Sequence, residues 1–220
     1  MFVGHYGPSF AIKSIQPSIR LWKLFIAVQL LDVGWSVFVF LGIEKVRIVP
    51  GITASNPLDL YYMPYTHSLV AAIAWAVSGI LLCRLLFHVR GWTASIWIGA
   101  AIFSHWILDF LVHRRDLPLY DNAAKVGLGV WDYPIIALSL EALFLFGGMI
   151  MYLRKTKTLT AVGRFGAPVF GVVMLAIQGY VFFGPPPTSP VAAAGTALGS
   201  YIVFALVAAW LDRNREPTAA

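Results

Sequence analysis

Residues 93–113 read TASIWIGAAIFSHWILDFLVH. At 1.5 Å of rise per residue this apolar run is long enough to cross the hydrocarbon core of a bilayer as one helix. Inside it, Ser104-His105-Trp106-Ile107-Leu108-Asp109 sets a histidine and an aspartate four residues apart. One helical turn separates them, so both side chains leave the same face and could hold one cation between them. Ionisable groups are expensive at membrane depth, and a chain that keeps them there is expected to use them.

The rest of the chain has the same character. Of 220 residues, 59% are apolar and only 12% charged, and the mean hydropathy is +0.77. Soluble domains are about half apolar and a quarter charged, so the composition points to a bilayer. Further apolar runs lie near 21–43, 62–87, 131–153, 162–184 and 190–211. With 93–113 they predict an all-α, polytopic transmembrane helix bundle of six spans. The stretch 4–19 is shorter, is interrupted by Pro8 and Pro17, and carries His5 and Lys13. It reads as a short N-terminal membrane-entering or re-entrant helix, which would be a seventh crossing if it spans. Residues 1–220 then form a single integral-membrane domain, with the metal-site residues in 1–155 and scaffold helices in 156–220. The segment 1–20 lacks the basic start and continuous apolar core of a cleavable signal and is expected to stay in the mature chain.

The net charge of +6 does not indicate nucleic acid, because the cations sit at helix ends and no basic run carries interleaved aromatics. Topology and anionic headgroups account for it. Arg20, Lys23, Arg84, Arg90, Arg154 and Lys155, with Lys157, Arg164, Arg213 and Arg215, outnumber the cations of the opposite connections. The positive-inside bias therefore predicts a cytoplasmic C-terminus, with the loops 44–61 and 114–130 outside. His5, His67 and His105 then converge on the outer half. Cys83, the one cysteine, excludes an intrachain disulfide and a cysteine-based zinc cluster.

His105 and Asp109 head the candidate ligands. His67, in Tyr65-Thr66-His67-Ser68, enters its span from a loop where Pro57 and Pro64 stiffen the chain around Asp59. Asp32 falls near the middle of its run, where a carboxylate must be paired or neutral; metal ligation and an ion pair with Lys13 are the competing readings. His5 lies between Gly4 and Gly7 at the chain start and is either a ligand or an ordinary terminal residue. Glu141 is a second deep carboxylate that could orient a ligand histidine, act as a general base or pair with Lys13. His113, Arg114, Arg115 and Asp116 make a cluster at the outer helix end that could recognise phosphate or anchor the interface. His88 beside Arg90 reads as an interface residue on the inner side. Trp22, Trp35, Trp92, Trp97, Trp106 and Trp131 read as an aromatic belt. The connection 184–190, Gly-Pro-Pro-Pro-Thr-Ser-Pro, is a stiff, uncharged outer corner.

The combination of Gly4-His5, Tyr65-Thr66-His67-Ser68 and Ser104-His105-x-x-x-Asp109 resembles the predicted membrane-bound metal-dependent hydrolases of bacterial inner membranes, the YdjM/YbcI-like family. The resemblance covers about residues 4–118. Its ligand order is distantly similar to that of zinc-dependent phospholipase C and P1 nuclease. Carried over, His5 matches the early histidine, Asp59 and His67 the Asp and His, and His105 with Asp109 the last pair, while Asp32 competes for the early aspartate. No aromatic N-terminal amine ligand and no second His-rich cluster is evident, which points to one or two metals. The resemblance implies a multi-pass protein of the bacterial inner membrane.

The expected function is a membrane-embedded hydrolase of a lipid-like phosphoester. Zn2+, or Mn2+ or Fe2+, would be held by His67, His105, Asp109 and one of Asp59 or Asp32. His5 would hold a second ion, Glu141 would serve as base or orienting group, and Arg114 or Arg115 would steady the phosphate. The rival readings are a proton- or ion-coupled transporter using Asp32, Glu141 and Lys13 as a relay, and a non-catalytic subunit of a membrane partner. A homo-oligomer fits any of the three.

Overall fold

The structure, a computed structural model, describes residues 1–85 and 92–218; His88 and Arg90, read above as interfacial, lie outside the described residues. After a 3₁₀ turn at Val3–His5 come α1 (Tyr6–Ile15), α2 (Leu21–Val28) and α3 (Leu30–Phe40). A hairpin follows, of β1 (Lys45–Ile48) and β2 (Leu58–Tyr62), then α4 (Leu69–Leu85), α5 (Trp92–Val112) and α6 (Pro134–Arg154). The chain ends with β3 (Thr156–Thr158), α7 (Ala161–Phe183), α8 (Pro190–Asp212) and β4 (Arg215–Pro217).

Among the described residues, α5, α6, α7 and α8 are long and apolar enough to cross a membrane, and α2 with α3 makes a fifth candidate, bent by 53°. Four to five spans replace the expected six or seven at this level. The difference has local causes. The run 62–87 is not helical throughout, because Pro64 and a Ser68 cap delay the helix: the Ser68 hydroxyl accepts from the Ala71 amide at 3.1 Å and donates to the Pro64 carbonyl at 2.8 Å. Among the described residues α4 then has 17. The run 21–43 breaks at Gln29, whose buried amide reaches the Phe2 carbonyl at 3.2 Å. The N-terminal segment is thereby wedged into the break.

Helix α1 spans about 15 Å along its axis and is largely enclosed by the bundle, with Tyr6 and Phe10 fully buried. It lies against α6 through glycines. A Cβ on Gly7 would strike the Phe144 carbonyl, and one on Gly148 would strike the Gly7 backbone. Glycine is what permits this backbone approach, the usual device where apolar helices pack in lipid. Apolar side chains such as Val70, Ile73, Val77, Val172 and Leu206 face outward, as a lipid-facing surface requires.

The expectation of a wholly helical chain is corrected by two small antiparallel ladders. β1 pairs with β2, with Arg47 opposite Asp59 and a bulge between Lys45 and Arg47. β3 pairs with β4, tying the C-terminal segment to the α6–α7 connection. Arg215 secures that tie, donating to the carbonyls of Leu153, Thr156 and Gly163. Both ladders lie outside the long helices, where backbone groups cannot be satisfied within a helix and pair with each other instead.

Candidate metal centre

Helix α5 supplies the spine of the site. His105, Asp109 and His113 follow one another at four-residue intervals and are all buried. Asp109 is the hub. On its Oδ1 side lie the Met1 nitrogen at 2.6 Å and His5 Nε2 at 3.2 Å; on its Oδ2 side lie His105 Nε2 at 3.1 Å and the Nε2 atoms of His67 and His113, each at 3.7 Å. Asp32, from the first turn of α3, brings Oδ1 to 3.2 Å from His67 Nε2 and 3.5 Å from His105 Nε2. The His5 and His105 rings stack at 3.8 Å between centroids.

Each of three imidazoles has its outer nitrogen occupied. His105 Nδ1 donates to the Val28 carbonyl at 2.6 Å, at the end of α2 where the helix breaks. His113 Nδ1 meets Asp116 Oδ1 at 2.9 Å. His67 Nδ1 meets the Thr66 hydroxyl at 2.7 Å, and that hydroxyl donates to Glu44 Oε2 at 2.6 Å. A hydroxyl has one proton, so His67 Nδ1 carries the other, and in a neutral ring Nε2, 3.2 Å from Asp32 Oδ1, would be the nitrogen open to a metal. An acceptor at one ring nitrogen fixes the tautomer and raises the basicity of the other, as it does in histidines that bind metals. The Nε2 atoms of all three rings face inward toward carboxylates.

These donors fit a metal ion. His5, His105 and Asp109 form one group, and Asp32, His67 and His105 another, with their candidate ligand atoms within 4.8 Å of one another. Donors about 2.0–2.1 Å from zinc stand about 3.3 Å apart in a tetrahedron, close to the separations of His67 and His105 from Asp32, 3.2 and 3.5 Å, and of His105 from Asp109, 3.1 Å. Both ring nitrogens of His5 and Nε2 of His105 are buried without a hydrogen-bond partner, an arrangement that is costly unless a cation meets them. Neutral imidazoles with carboxylates suit zinc or another first-row divalent ion. The two groups share the single free nitrogen of His105, so both cannot be completed by His105 at once.

Other residues take different places. Asp59 stands in the hairpin, where Oδ2 accepts from Arg47 Nη2 at 2.6 Å and Oδ1 from Arg114 Nη2 at 2.5 Å; it belongs to neither ligand group. Arg114 is divided between Asp59 and Asp116, and Arg115 is exposed. Glu141 is buried and accepts from the amides of Phe2 at 3.0 Å and Gly4 at 2.5 Å, so it clamps the segment that carries His5. Lys13 pairs with Asp212 at 3.1 Å, which corrects the expected pairing with Asp32 or Glu141.

Several contributors were not foreseen. Tyr201 of α8 donates to Asp32 Oδ2 at 2.8 Å, bringing a helix read as scaffold to the site. His113, read as part of a phosphate cluster, continues the i, i+4 series that already marked His105 and Asp109. Trp131 packs on the His113 ring at 4.2 Å, and the Trp106 indole donates to the His67 carbonyl at 3.0 Å; both are buried where belt positions were expected.

The centre lies on the wall of a cavity of about 580 Å3. Phe2, Trp35 and Leu60 line it beside the polar groups, and α7 and α8 close it with Phe182, Ala193 and Ala197. Pro185, Pro186 and Pro187 of the stiff corner form part of its rim. The buried Gln178, with Asn56, Thr196 and Ser200, adds hydrogen-bonding groups to a mostly apolar wall. The chain matches no family model, no curated protein and no solved structure.

Proposed function

We propose that this chain is an integral-membrane, metal-dependent hydrolase acting on a phosphoester of a lipid-like substrate. The reading rests on one observation: His67, His105 and His113 each have Nδ1 engaged and Nε2 turned toward Asp32 or Asp109, beside an apolar cavity. A zinc, manganese or iron ion at Asp32, His67, His105 and Asp109 would acidify a bound water and polarise the phosphoryl oxygen. Tyr201 holds Asp32 in place, and Glu141 holds the N-terminal turn that presents His5. The apolar walls exclude water and accommodate a hydrocarbon chain.

In this reading the chain enters the bilayer six or seven times. The 17 residues of α4 span about 25 Å, close to a hydrocarbon core of about 30 Å, and α1 is a membrane-entering helix too short to cross alone. The bacterial inner membrane and a cytoplasmic C-terminus are parts of the same proposal, supported by the family resemblance and by the Lys and Arg bias.

The test is metal analysis of protein purified in detergent without a metal-affinity step, for wild type and His105→Ala, followed by phosphate or alcohol release from phospholipid and polyprenyl-phosphate substrates. One or two ions per chain, lost with hydrolysis in the variant, supports the assignment. Wild-type protein that takes up no metal after added zinc overturns it.

A further inference from the structure

A second concave site lies at the end of the bundle where α2 begins and α8 ends, about 12–16 Å along α8 from Tyr201. It is a pocket of about 370 Å3 lined by Arg20, Trp22, Lys23, Ala209, Asp212 and Arg213. Its one acid is already neutralised. Asp212 Oδ1 lies 3.1 Å from Lys13 Nζ, and Oδ2 accepts the Leu21 amide at 3.1 Å. Lys13 is anchored too, donating to the carbonyls of Pro17 and Ile19 at 3.0 Å each. This buried pair forms a rigid floor of no net charge.

The three cations above it are uncompensated. Among the described residues no carboxylate pairs with Arg20, Lys23 or Arg213; Lys23 lies 5.7 Å from the Trp22 ring centre. Arg20 and Arg213 are exposed and Lys23 half-buried. Three like charges around one concavity repel each other unless an anion joins them, and guanidinium groups bind phosphate oxygens in pairs. Trp22, 38% exposed, gives the site an amphipathic ring suited to the level of lipid headgroups. The location agrees with the charge bias that puts this end in the cytoplasm, where anionic lipids collect at basic pockets between helices.

We infer that Arg20, Lys23 and Arg213 form a binding site for a phosphate group, offered by the headgroup of an anionic phospholipid or by free phosphate. The site is separate from the histidine cluster and does not depend on the hydrolase reading.

The full chain in non-ionic detergent is titrated with short-chain phosphatidylglycerol, short-chain phosphatidylcholine and inorganic phosphate, as wild type, Lys23→Gln and the double variant Arg20→Gln/Arg213→Gln. Each lost charge should weaken binding about fivefold, so the double variant should lose about 25-fold. Preference for phosphatidylglycerol over phosphatidylcholine, lost in the variants, identifies a lipid headgroup; equal binding of inorganic phosphate with the same losses identifies free phosphate. Unchanged phosphatidylglycerol binding in Lys23→Gln and the double variant, or wild type that binds neither phosphatidylglycerol nor phosphate above phosphatidylcholine, overturns the inference. Melting temperatures and gel-filtration profiles equal to wild type establish that the variants are folded.

Discussion

His105 gives its Nδ1 proton to the carbonyl of Val28 at 2.6 Å, across the break that separates α2 from α3. A continuous helix would use such a carbonyl for its own ladder. The break therefore does two things at once: it supplies the acceptor that orients His105, and it starts α3 so that Asp32 lies in its first turn, 3.5 Å from the same imidazole. Gln29 and the Phe2 carbonyl hold the break open, so the N-terminal segment, the bent helix and α5 are coupled through one ring.

Tyr201→Phe removes the hydroxyl that holds Asp32 Oδ2 and leaves the ring's packing in place. Loss of a group that orients a ligand typically weakens metal binding about 10–100-fold. Competition with a chromogenic chelator should show a loss of that size, with the melting temperature within a few degrees of wild type. An unchanged affinity would mean that Asp32 is not a ligand.

The helical, membrane-grade character was legible because it is carried by composition and by long runs such as 131–153. His105 and Asp109 were legible because their spacing is local to one helix. The break at Gln29 was not, since it depends on a side chain meeting the Phe2 carbonyl from another part of the chain. Tyr201 was hidden for the same reason: nothing near it in sequence indicates that α8 passes Asp32. His113 was legible on the same helical climb as His105 and Asp109, but the adjacent arginines drew it into a phosphate-cluster or interface reading. The ion pairs of Asp59 were hidden as well, since its partner Arg47 lies across a hairpin that the apolar pattern does not announce.

Asp59→Asn separates the ion-pair role from the ligand role. The change removes the charge that Arg47 and Arg114 share, and both arginines are solvent-exposed enough that the loss should cost about 1 kcal/mol or less. Metal content should equal that of wild type. Loss of metal without unfolding would return Asp59 to the ligand set.

Gly147 and Gly148 are neighbours on α6 with opposite surroundings. A Cβ on Gly148 would fall 2.9 Å from the Gly7 Cα, whereas one on Gly147 meets nothing within 4 Å. Gly148→Ala should force α1 away from α6 and cost about 1–3 kcal/mol, with loss of metal as His5 moves. Gly147→Ala should gain about 0.5–1 kcal/mol from the lower backbone entropy of the unfolded chain. Thermal unfolding of both variants in detergent reads the contrast, and equal melting temperatures would contradict the close α1–α6 contact.

Glu44→Gln tests the proton chain behind His67. Glu44 Oε1 accepts from the amides of Tyr65 at 2.8 Å and Thr66 at 3.0 Å, and Oε2 accepts from the Thr66 hydroxyl. In the variant the amide oxygen can keep both backbone bonds, but the NH2 group must donate where the carboxylate accepted. The Thr66 hydroxyl then turns its proton toward His67 Nδ1 and moves the ring proton to Nε2, the nitrogen facing Asp32. Metal affinity should fall about 10–100-fold with little change in fold, and Glu44→Gln/Thr66→Val, which removes the hydroxyl, should not fall by the full product of the two single losses. Burial pushes the Glu44 carboxyl up, against the hydrogen bonds from Thr66 and Tyr65 that favour its charged form. A protonated Glu44 would donate to Thr66 as the amide does, so wild-type affinity should decline toward that of the variant as pH falls through the raised value. Because the folded chain holds this proton more tightly than the unfolded one, the contribution of Glu44 to stability is full in acid and is lost as pH rises through the same value. Glu44→Gln should therefore flatten both pH profiles, in opposite directions, and an unaltered metal affinity would show that His67 takes its tautomer from some other contact.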